Sequence, residues 1–194
     1  MEELLQLLND FHPLSPELVV TLLKRFTKEV HRKNKRILEA GQICDWIAFV
    51  EKGLVKLSYE PEDGTERVAG FHREGEVIGP VDSFFANTPS ALGIQAIDET
   101  HLRKIRKIEL EFICRKYPEL YLHLLKILDD KYCKLEEHSR LLMEPAKKRF
   151  PLVQKQEPWL LQDARIKDYM LAAYLGIDKA TFSRFRNGRG TRND

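Results

Sequence analysis

The side chains whose chemistry is easiest to interpret lie near the end of the chain. Lys179 and Arg184 carry hydrogen-bond donors that suit guanine O6 and N7, and arginine can bond both atoms at once. Thr181, Ser183 and Arg186 offer the hydroxyl and guanidinium donors that commonly hold phosphate oxygens. Spaced over about two helical turns, these residues predict a surface that contacts nucleic acid.

Two short helices joined by a tight turn must position these side chains. Gly176 suits the left-handed conformation that ends a helix, and Asp178 offers a carboxylate to cap the next one. Phe182 and Phe185 then fall three residues apart, as expected on one helix face. The pattern predicts a helix-turn-helix over roughly 165–187, the unit whose second helix enters the DNA major groove. From the local pattern alone, a helical hairpin that simply closes a domain is the alternative.

Charge is unevenly distributed along the chain. Residues 147–194 carry 11 Lys and Arg against 5 Asp and Glu, whereas the remaining residues carry 21 against 25. A small basic module joined to a larger acidic one favours attraction to phosphate. Basic tails also serve solubility, so this distribution supports the nucleic-acid hypothesis without deciding it.

Composition narrows the class of protein. The 194 residues are 43% hydrophobic, enough for one large domain and a small one with a proper core. No run approaches the roughly 20 apolar residues that cross a membrane, and the first residues lack a signal-peptide pattern, which predicts a cytoplasmic protein without membrane contact. Cys44, Cys114 and Cys133 are dispersed and odd in number, which predicts buried, reduced thiols rather than disulfides or a metal site.

The first 107 residues change from a helical to a strand-rich pattern. Residues 1–30 predict helices, and about 35–107 contain short β-rich runs separated by glycines. Runs 46–50 and 54–59 flank a tight connection, and 54–59 alternates as a half-buried strand should, with Lys56 and Leu57 on opposite faces. Further strands are predicted at 67–71, 94–97 and 102–105. Many short strands without intervening long helices predict a barrel or jelly roll.

A long helix is predicted after this region. Residues 108–142 are strongly helical, and Pro118 marks the start of an apolar stripe of about six turns. Such a helix either pairs with its copy in a dimer or lies across the barrel, and the two are compatible. Pro145 marks a junction, and Pro151 and Pro158 bracket a linker or the first elements of the last module.

Helix, β-roll, long helix and C-terminal helix-turn-helix, in this order, resemble the CRP/FNR superfamily of bacterial transcription regulators over essentially the whole chain. The resemblance is carried by segments 37–41, 47–57, 63–66, 75–79 and 174–184. It implies an α+β fold with three parts: a cyclic-nucleotide-binding-like sensor β-roll at 1–116, a dimerisation helix at 117–144, and a helix-turn-helix domain at 145–194. The implied partners are double-stranded DNA, a second copy of the chain and RNA polymerase.

The resemblance also implies roles for the last helix. Positions matching Lys179, Ala180 and Arg184 face base edges in the family, although Ala180 can at most touch a thymine methyl. Only eight residues follow Arg186, so the family's β-hairpin wing is predicted to be absent.

The sensor departs from the family's cyclic AMP pattern. Members that bind cyclic AMP use a Glu for the ribose and an Arg for the phosphate, and these positions fall on Pro80 and near Ser90. Loss of the charge-assisted pair predicts that cyclic AMP is not the ligand. The pocket is either filled by side chains such as Phe84 and Phe85 or binds another, unidentified small effector. The candidate effector residues are Gly79, Pro80, Val81, Asp82, Ser83, Ser90 and Ala91.

Other function classes fit less well. Three dispersed cysteines do not suit an iron–sulfur cluster, haem would rely on the lone His72, and a cupin-like metalloenzyme needs clustered histidines that the sequence does not group. The prediction is therefore a regulator that is not an enzyme and holds no metal or cofactor. The alternative is a dimeric sensor or interaction protein whose helix-turn-helix no longer functions, which Ala180 and the absent wing motivate.

Overall fold

The structure, a computed structural model, describes residues 1–187, and within this range the chain forms nine helices and eight strands. The helices are α1 (Glu2–Phe11), α2 (Pro16–Arg25), α3 (Val81–Ala86), α4 (Lys107–Lys116), α5 (Leu120–Met143), α6 (Ala146–Gln156), α7 (Pro158–Gln162), α8 (Asp168–Leu175) and α9 (Lys179–Arg186). The strands are β1 (Thr27–His31), β2 (Arg36–Leu38), β3 (Trp46–Lys52), β4 (Val55–Tyr59), β5 (Arg67–His72), β6 (Val77–Ile78), β7 (Gly93–Ala96) and β8 (Thr100–Arg106).

The strands form two four-stranded sheets within the described residues. One has the order β1-β8-β3-β6 and the other the order β2-β7-β4-β5. The pairings of β8 with β1 and β3 are antiparallel, as are those of β3 with β6 and of β2 with β7. The prediction of a jelly roll is confirmed. The tight connection predicted between 46–50 and 54–59 joins β3 and β4, which belong to different sheets, so it passes from one sheet to the other.

Two expectations for the first hundred residues are wrong in detail. The helical prediction over 1–30 holds for α1 and α2, but Thr27–His31 is a strand that pairs with β8. Its β-branched residues and its cross-strand partners prevail over the helical pattern that precedes it. Lys56 is only 2% exposed, so β4 does not alternate between a buried and an exposed face along its first three residues.

The chain divides into two compact units. The first comprises Met1–Leu57 and Phe71–Lys131, and the second comprises Ser58–Gly70 together with the described residues from Tyr132 onward. Apolar side chains of α1, α2, β3, α3, β8, α4 and the start of α5 form a core cluster of the first unit. Because Leu120, Leu124 and Ile127 belong to this core or pack against it, the first half of α5 lies on the roll, as one of the two interpretations of the long helix predicts.

The predicted helical region 108–142 is broken near its start. It consists of α4 and the 24-residue α5, separated at Tyr117 and Pro118. Proline lacks an amide proton and disfavours helical backbone in the residue before it, so the break falls where Pro118 requires it.

The second unit is built mainly from the last four helices. α6 contacts α7, α8 and α9, and α8 contacts α9. Pro151 lies inside α6 and Pro158 begins α7, so these prolines mark the first elements of the module rather than a linker. The buried side chains of these helices are Val153, Leu160, Met170, Leu171, Ala172, Tyr174, Leu175 and Phe182.

Candidate nucleic-acid interface and effector cavity

A short turn sets the direction of α9. Gly176 ends α8 with a φ of +61°, a left-handed conformation that glycine adopts without steric cost. The Asp178 carboxylate caps α9 by accepting hydrogen bonds from the Thr181 amide at 2.8 Å and the Thr181 hydroxyl at 2.6 Å. The Thr181 hydrogen bonds hold the pKa of Asp178 below its usual range, so the cap is ionised at neutral pH. The predicted pair of helices, the turn and the cap are confirmed.

One face of α9 is exposed and the other is anchored. Phe182 is fully buried and packs edge-on against Phe150 of α6, with ring centroids 5.6 Å apart. Lys179, Ala180, Ser183 and Arg184 are exposed, and we name these four residues the α9 face. The arrangement places two cations and a hydroxyl on one side of a helix that is held rigidly from the other.

Thr181 and Arg186 have intramolecular partners. The Thr181 hydroxyl accepts a hydrogen bond from Arg184 Nη2 at 2.9 Å, which aligns the guanidinium along the helix. Arg186 forms an ion pair with Asp168 at the start of α8. The wing predicted to be absent would begin after Asn187, and that part of the chain lies outside the described residues.

Arg149 holds the turn before α9 in place. Its guanidinium donates to the carbonyl oxygens of Leu142 and Glu144 at the end of α5, at 2.9 and 2.8 Å. It also donates to the carbonyls of Leu175 and Gly176 at the end of α8, at 2.8 and 3.3 Å. Since both helix ends present unsatisfied carbonyls, one cation stabilises both. Sequence reasoning missed this residue because its partners are backbone atoms that carry no sequence signal.

A second contact joins α5 to α8. The His138 ring stacks on the Tyr174 ring with centroids 4.1 Å apart, and His138 Nε2 donates to the Tyr174 carbonyl at 2.9 Å. The Tyr174 hydroxyl donates to Glu157 at 2.7 Å. Burial lowers the pKa of His138, which favours the neutral ring. The C-terminal end of α8 is therefore held by two sets of contacts, those of Tyr174 and those of Arg149 at the turn.

The predicted effector residues have different environments. The Ser83 hydroxyl accepts from the Cys44 amide at 2.8 Å and donates to the Thr88 carbonyl at 2.6 Å. The Ser90 hydroxyl donates to the Leu92 carbonyl at 2.8 Å. Both serines are buried, so their hydroxyls maintain the local fold.

The other predicted effector residues differ in their exposure to solvent. Pro80 is buried, whereas Asp82 and Ala91 are exposed. Of the seven candidates, Gly79 and Val81 line a common cavity. Gly79 has a φ of +147°, and a Cβ there would lie 3.1 Å from Ile47 Cγ2, so a side chain at this position would crowd β3.

This cavity lies within the first unit, and we name it the α5 cavity. It encloses about 110 Å³ between β3, β6, α3, α4 and the first three turns of α5. Its buried lining includes Leu110 and Cys114 of α4, and its exposed lining consists of Val81, Phe85 and Tyr121. Of the two side chains expected to fill a pocket, Phe84 is buried, and Phe85 is 55% exposed beside the opening.

The described residues contain neither a membrane-spanning helix nor a cluster of metal-binding side chains. Among residues 1–187, the structure has no helix that is both long and apolar enough to cross a membrane. Within that same part of the chain, histidine, cysteine and carboxylate side chains do not gather in threes or more around a point that could hold a metal ion.

Comparison with known proteins finds similar sequences and similar folds. Residues 28–117 match the family described as the cyclic nucleotide-binding domain. Over 177 residues the chain is 25% identical to the cyclic AMP receptor protein of Thermus thermophilus. The aligned region covers 90% of this chain and 82% of that protein.

Solved structures with the same fold span most of the chain. FixK2 from Bradyrhizobium japonicum superposes with a TM-score of 0.72 and 21% identity over 84% of this chain and 83% of that one. The c-di-GMP responsive global regulator CLP of Xanthomonas campestris superposes with a TM-score of 0.72 and 17% identity over 90% and 91%. Residues 28–117 thus match a cyclic nucleotide-binding domain, and the chain has the fold of the regulators FixK2 and CLP.

Proposed function

We propose that the protein is a sequence-specific DNA-binding transcription regulator of the CRP/FNR type. The observation that carries the proposal is the exposed α9 face, which presents Lys179 and Arg184 while buried Phe182 anchors the opposite side of the helix. A rigid helix with cations on its free face suits insertion into the major groove. The excess of Lys and Arg over residues 147–194 supplies the accompanying attraction to phosphate.

The α9 contacts suggest a division of roles. Lys179 and Arg184 reach base edges, with Arg184 aligned by its bond to Thr181, and Ala180 touches a thymine methyl at most. Ser183 contacts phosphate. Thr181 and Arg186 contact phosphate only by exchanging partners, since Asp178 and Asp168 already bind them.

A homodimer is the form that we propose binds DNA. Six α5 side chains, which we name the α5 seam, follow the spacing that defines a coiled-coil contact: the first five alternate by four and three residues, and the sixth lies one heptad after the fifth. The α5 seam consists of Tyr121, Leu125, Leu128, Tyr132, Leu135 and Leu142. All but the half-buried Leu128 are exposed, and Leu135 reaches 63%. Two copies would place two α9 helices about 34 Å apart on a two-fold operator.

We further propose that cyclic AMP is not the effector. Pro80 supplies neither a carboxylate nor an amide proton where the family pattern places the ribose ligand. Ser90 is uncharged, and its buried hydroxyl is bonded to Leu92. An unpaired cyclic phosphate would lose a charge-assisted bond worth about 2–5 kcal/mol. A cytoplasmic location and a contact with RNA polymerase complete the proposal.

The direct test is selection of binding sites from random duplex DNA by the full chain. We expect an enriched two-fold sequence whose affinity falls steeply with salt. Recovery of unenriched sequences would favour the alternative, a dimeric sensor with a non-functional helix-turn-helix. The observation that favours that alternative is Ala180, which brings no hydrogen-bonding group to the middle of the α9 face.

A further inference from the structure

The lining of the α5 cavity is apolar where it is buried. Leu110 and Cys114 are nearly inaccessible, and Val77, Leu124 and Ile127 are half-buried beside them. Burial raises the pKa of the Cys114 thiol, so this side chain is neutral and behaves as a small apolar group. Because a water molecule needs two to four polar partners, such a cavity favours an apolar occupant over water.

Three charged side chains line the cavity, those of Lys107, Glu111 and Lys131. Lys107 Nζ donates to the Phe85 carbonyl at 2.9 Å. Glu111 and Lys131 contribute one charge of each sign. Since Glu111 offsets one lysine and the other is bonded to a carbonyl, the cavity does not require an ionised ligand.

The size of the cavity sets the size of the occupant. In another protein, an apolar cavity of about 150 Å³ binds benzene. The α5 cavity encloses about 110 Å³ and opens between Val81, Phe85 and Tyr121, so a ring of this size can enter and extend toward the opening.

Two residues connect the cavity to the α5 seam. Tyr121 and Leu128 line the cavity, and the same side chains are the first and third positions of the seam. A molecule that packs against them restricts their rotamers. A ligand that favours the rotamers used in the dimer would strengthen dimerisation by its difference in affinity for the two states.

We propose that the α5 cavity binds a small, uncharged, apolar molecule, an aromatic ring or a branched aliphatic group about the size of benzene, and that the bound molecule stabilises the α5 seam. The first half of this proposal concerns the cavity alone. The second half rests on the proposed dimeric regulator.

Binding is tested with benzene as the probe on the full chain, by calorimetry and by thermal unfolding. We expect saturable binding and a midpoint of unfolding that rises with benzene concentration, whereas cyclic AMP produces no shift. Cys114→Leu adds two methyl groups to the cavity and should weaken benzene binding about tenfold or more. The matched control is Cys133→Leu, the same substitution at an exposed position of α5, and it should leave the affinity unchanged.

A second variant keeps the test decisive if Cys114→Leu fails to fold. Val77→Ala enlarges the cavity and should shift the preference from benzene toward ethylbenzene. Absence of saturable benzene binding, or equal binding by the Cys114→Leu and Cys133→Leu variants, would overturn the proposal. Benzene binding that weakens as the protein concentration rises would overturn it too, because it would assign the cavity to a second copy of the chain.

The coupling to the α5 seam has its own measurement. Saturating benzene should lower the dimer dissociation constant about fivefold or more, as measured by sedimentation. If benzene binds and the dimer dissociation constant does not change, the proposed coupling is overturned, whereas the proposed binding site is retained. Benzene binding to a chain that neither dimerises nor binds DNA would instead overturn the proposed function.

Discussion

The α9 face and the α5 cavity are built from different kinds of contact. The α9 face depends on bonds between near neighbours, such as the Asp178 cap on Thr181 and the Thr181 bond to Arg184, each spanning three residues. The α5 cavity gathers side chains from five elements between β3 and α5. One presents charge to solvent and the other hides apolar surface from it. We therefore expect DNA binding to be strongly salt-dependent and cavity binding to be nearly independent of salt.

The largest expected effect concerns the α5 seam. Leu135→Glu should raise the dimer dissociation constant about 100-fold or more, because like charges facing each other across an interface cost several kcal/mol. DNA affinity should fall with it, while benzene binding to the α5 cavity should persist. Sedimentation of the variant measures the change, and Leu23→Glu on exposed α2 is the control. An unchanged dissociation constant would remove α5 as the dimer contact.

The next largest effect should lower the stability of the second unit without changing that of the first. Arg149→Ala leaves carbonyls at two helix ends without their cation and should lower the free energy of unfolding of the second unit by about 3 kcal/mol. Amides of α8 and α9 should exchange faster, while those of β3 and β8 keep their rates. Native-state hydrogen exchange reports both sets at once, with Arg140→Ala on exposed α5 as the control. Equal acceleration in both sets would show that the two units unfold together.

A smaller effect distinguishes the side chains of α9. Arg184→Ala should weaken binding to a selected duplex about 5- to 150-fold and relax the base preference at one position, the range expected for a lost bidentate contact. Arg186→Ala should cost less, because that side chain must leave Asp168 before it reaches a phosphate. Fluorescence anisotropy against selected and shuffled duplexes measures both. A larger loss for Arg186→Ala than for Arg184→Ala would reverse the assigned roles.

The smallest effect is a pH dependence in the second unit. Since burial lowers the pKa of His138, the unfolded chain binds a proton more readily than the folded chain. The stability that the neutral ring provides is complete above about pH 6.5, the usual pKa of histidine. It is lost as the pH falls from there toward the lower pKa of the folded state, by at most about 1.4 kcal/mol per pH unit. Thermal unfolding from pH 5 to 8 should show this slope in the wild type. His138→Gln keeps an amide donor and should flatten it, and an unaltered slope would assign the pH dependence elsewhere.

The helix pair near the end of the chain was predictable because its signals are local. Gly176 and Asp178 act on their immediate neighbours, so residue type alone indicates the turn and the cap. The jelly roll was predictable as a class from its short strands and glycines. Which sheet each strand joins was not, because β3 and β4 are adjacent in sequence and belong to different sheets.

The positions that sequence reasoning misplaced depend on distant partners. Thr27–His31 becomes a strand because β8 lies beside it, and Lys56 is buried although its type favours exposure. The α5 cavity has no sequence signature, since its lining consists of ordinary apolar residues whose convergence arises only from packing. Arg149 was missed for the same reason: its four acceptors are backbone carbonyls.

The most direct test of the account is the ratio of affinities for a selected two-fold duplex and a shuffled duplex of equal length. We expect the dimeric full chain to prefer the selected duplex about 1,000-fold or more, with both affinities falling as salt is raised. We also expect Arg184→Ala to lower this ratio. Equal affinity for the two duplexes, by protein shown to be dimeric and folded, would contradict the claim that α9 reads DNA.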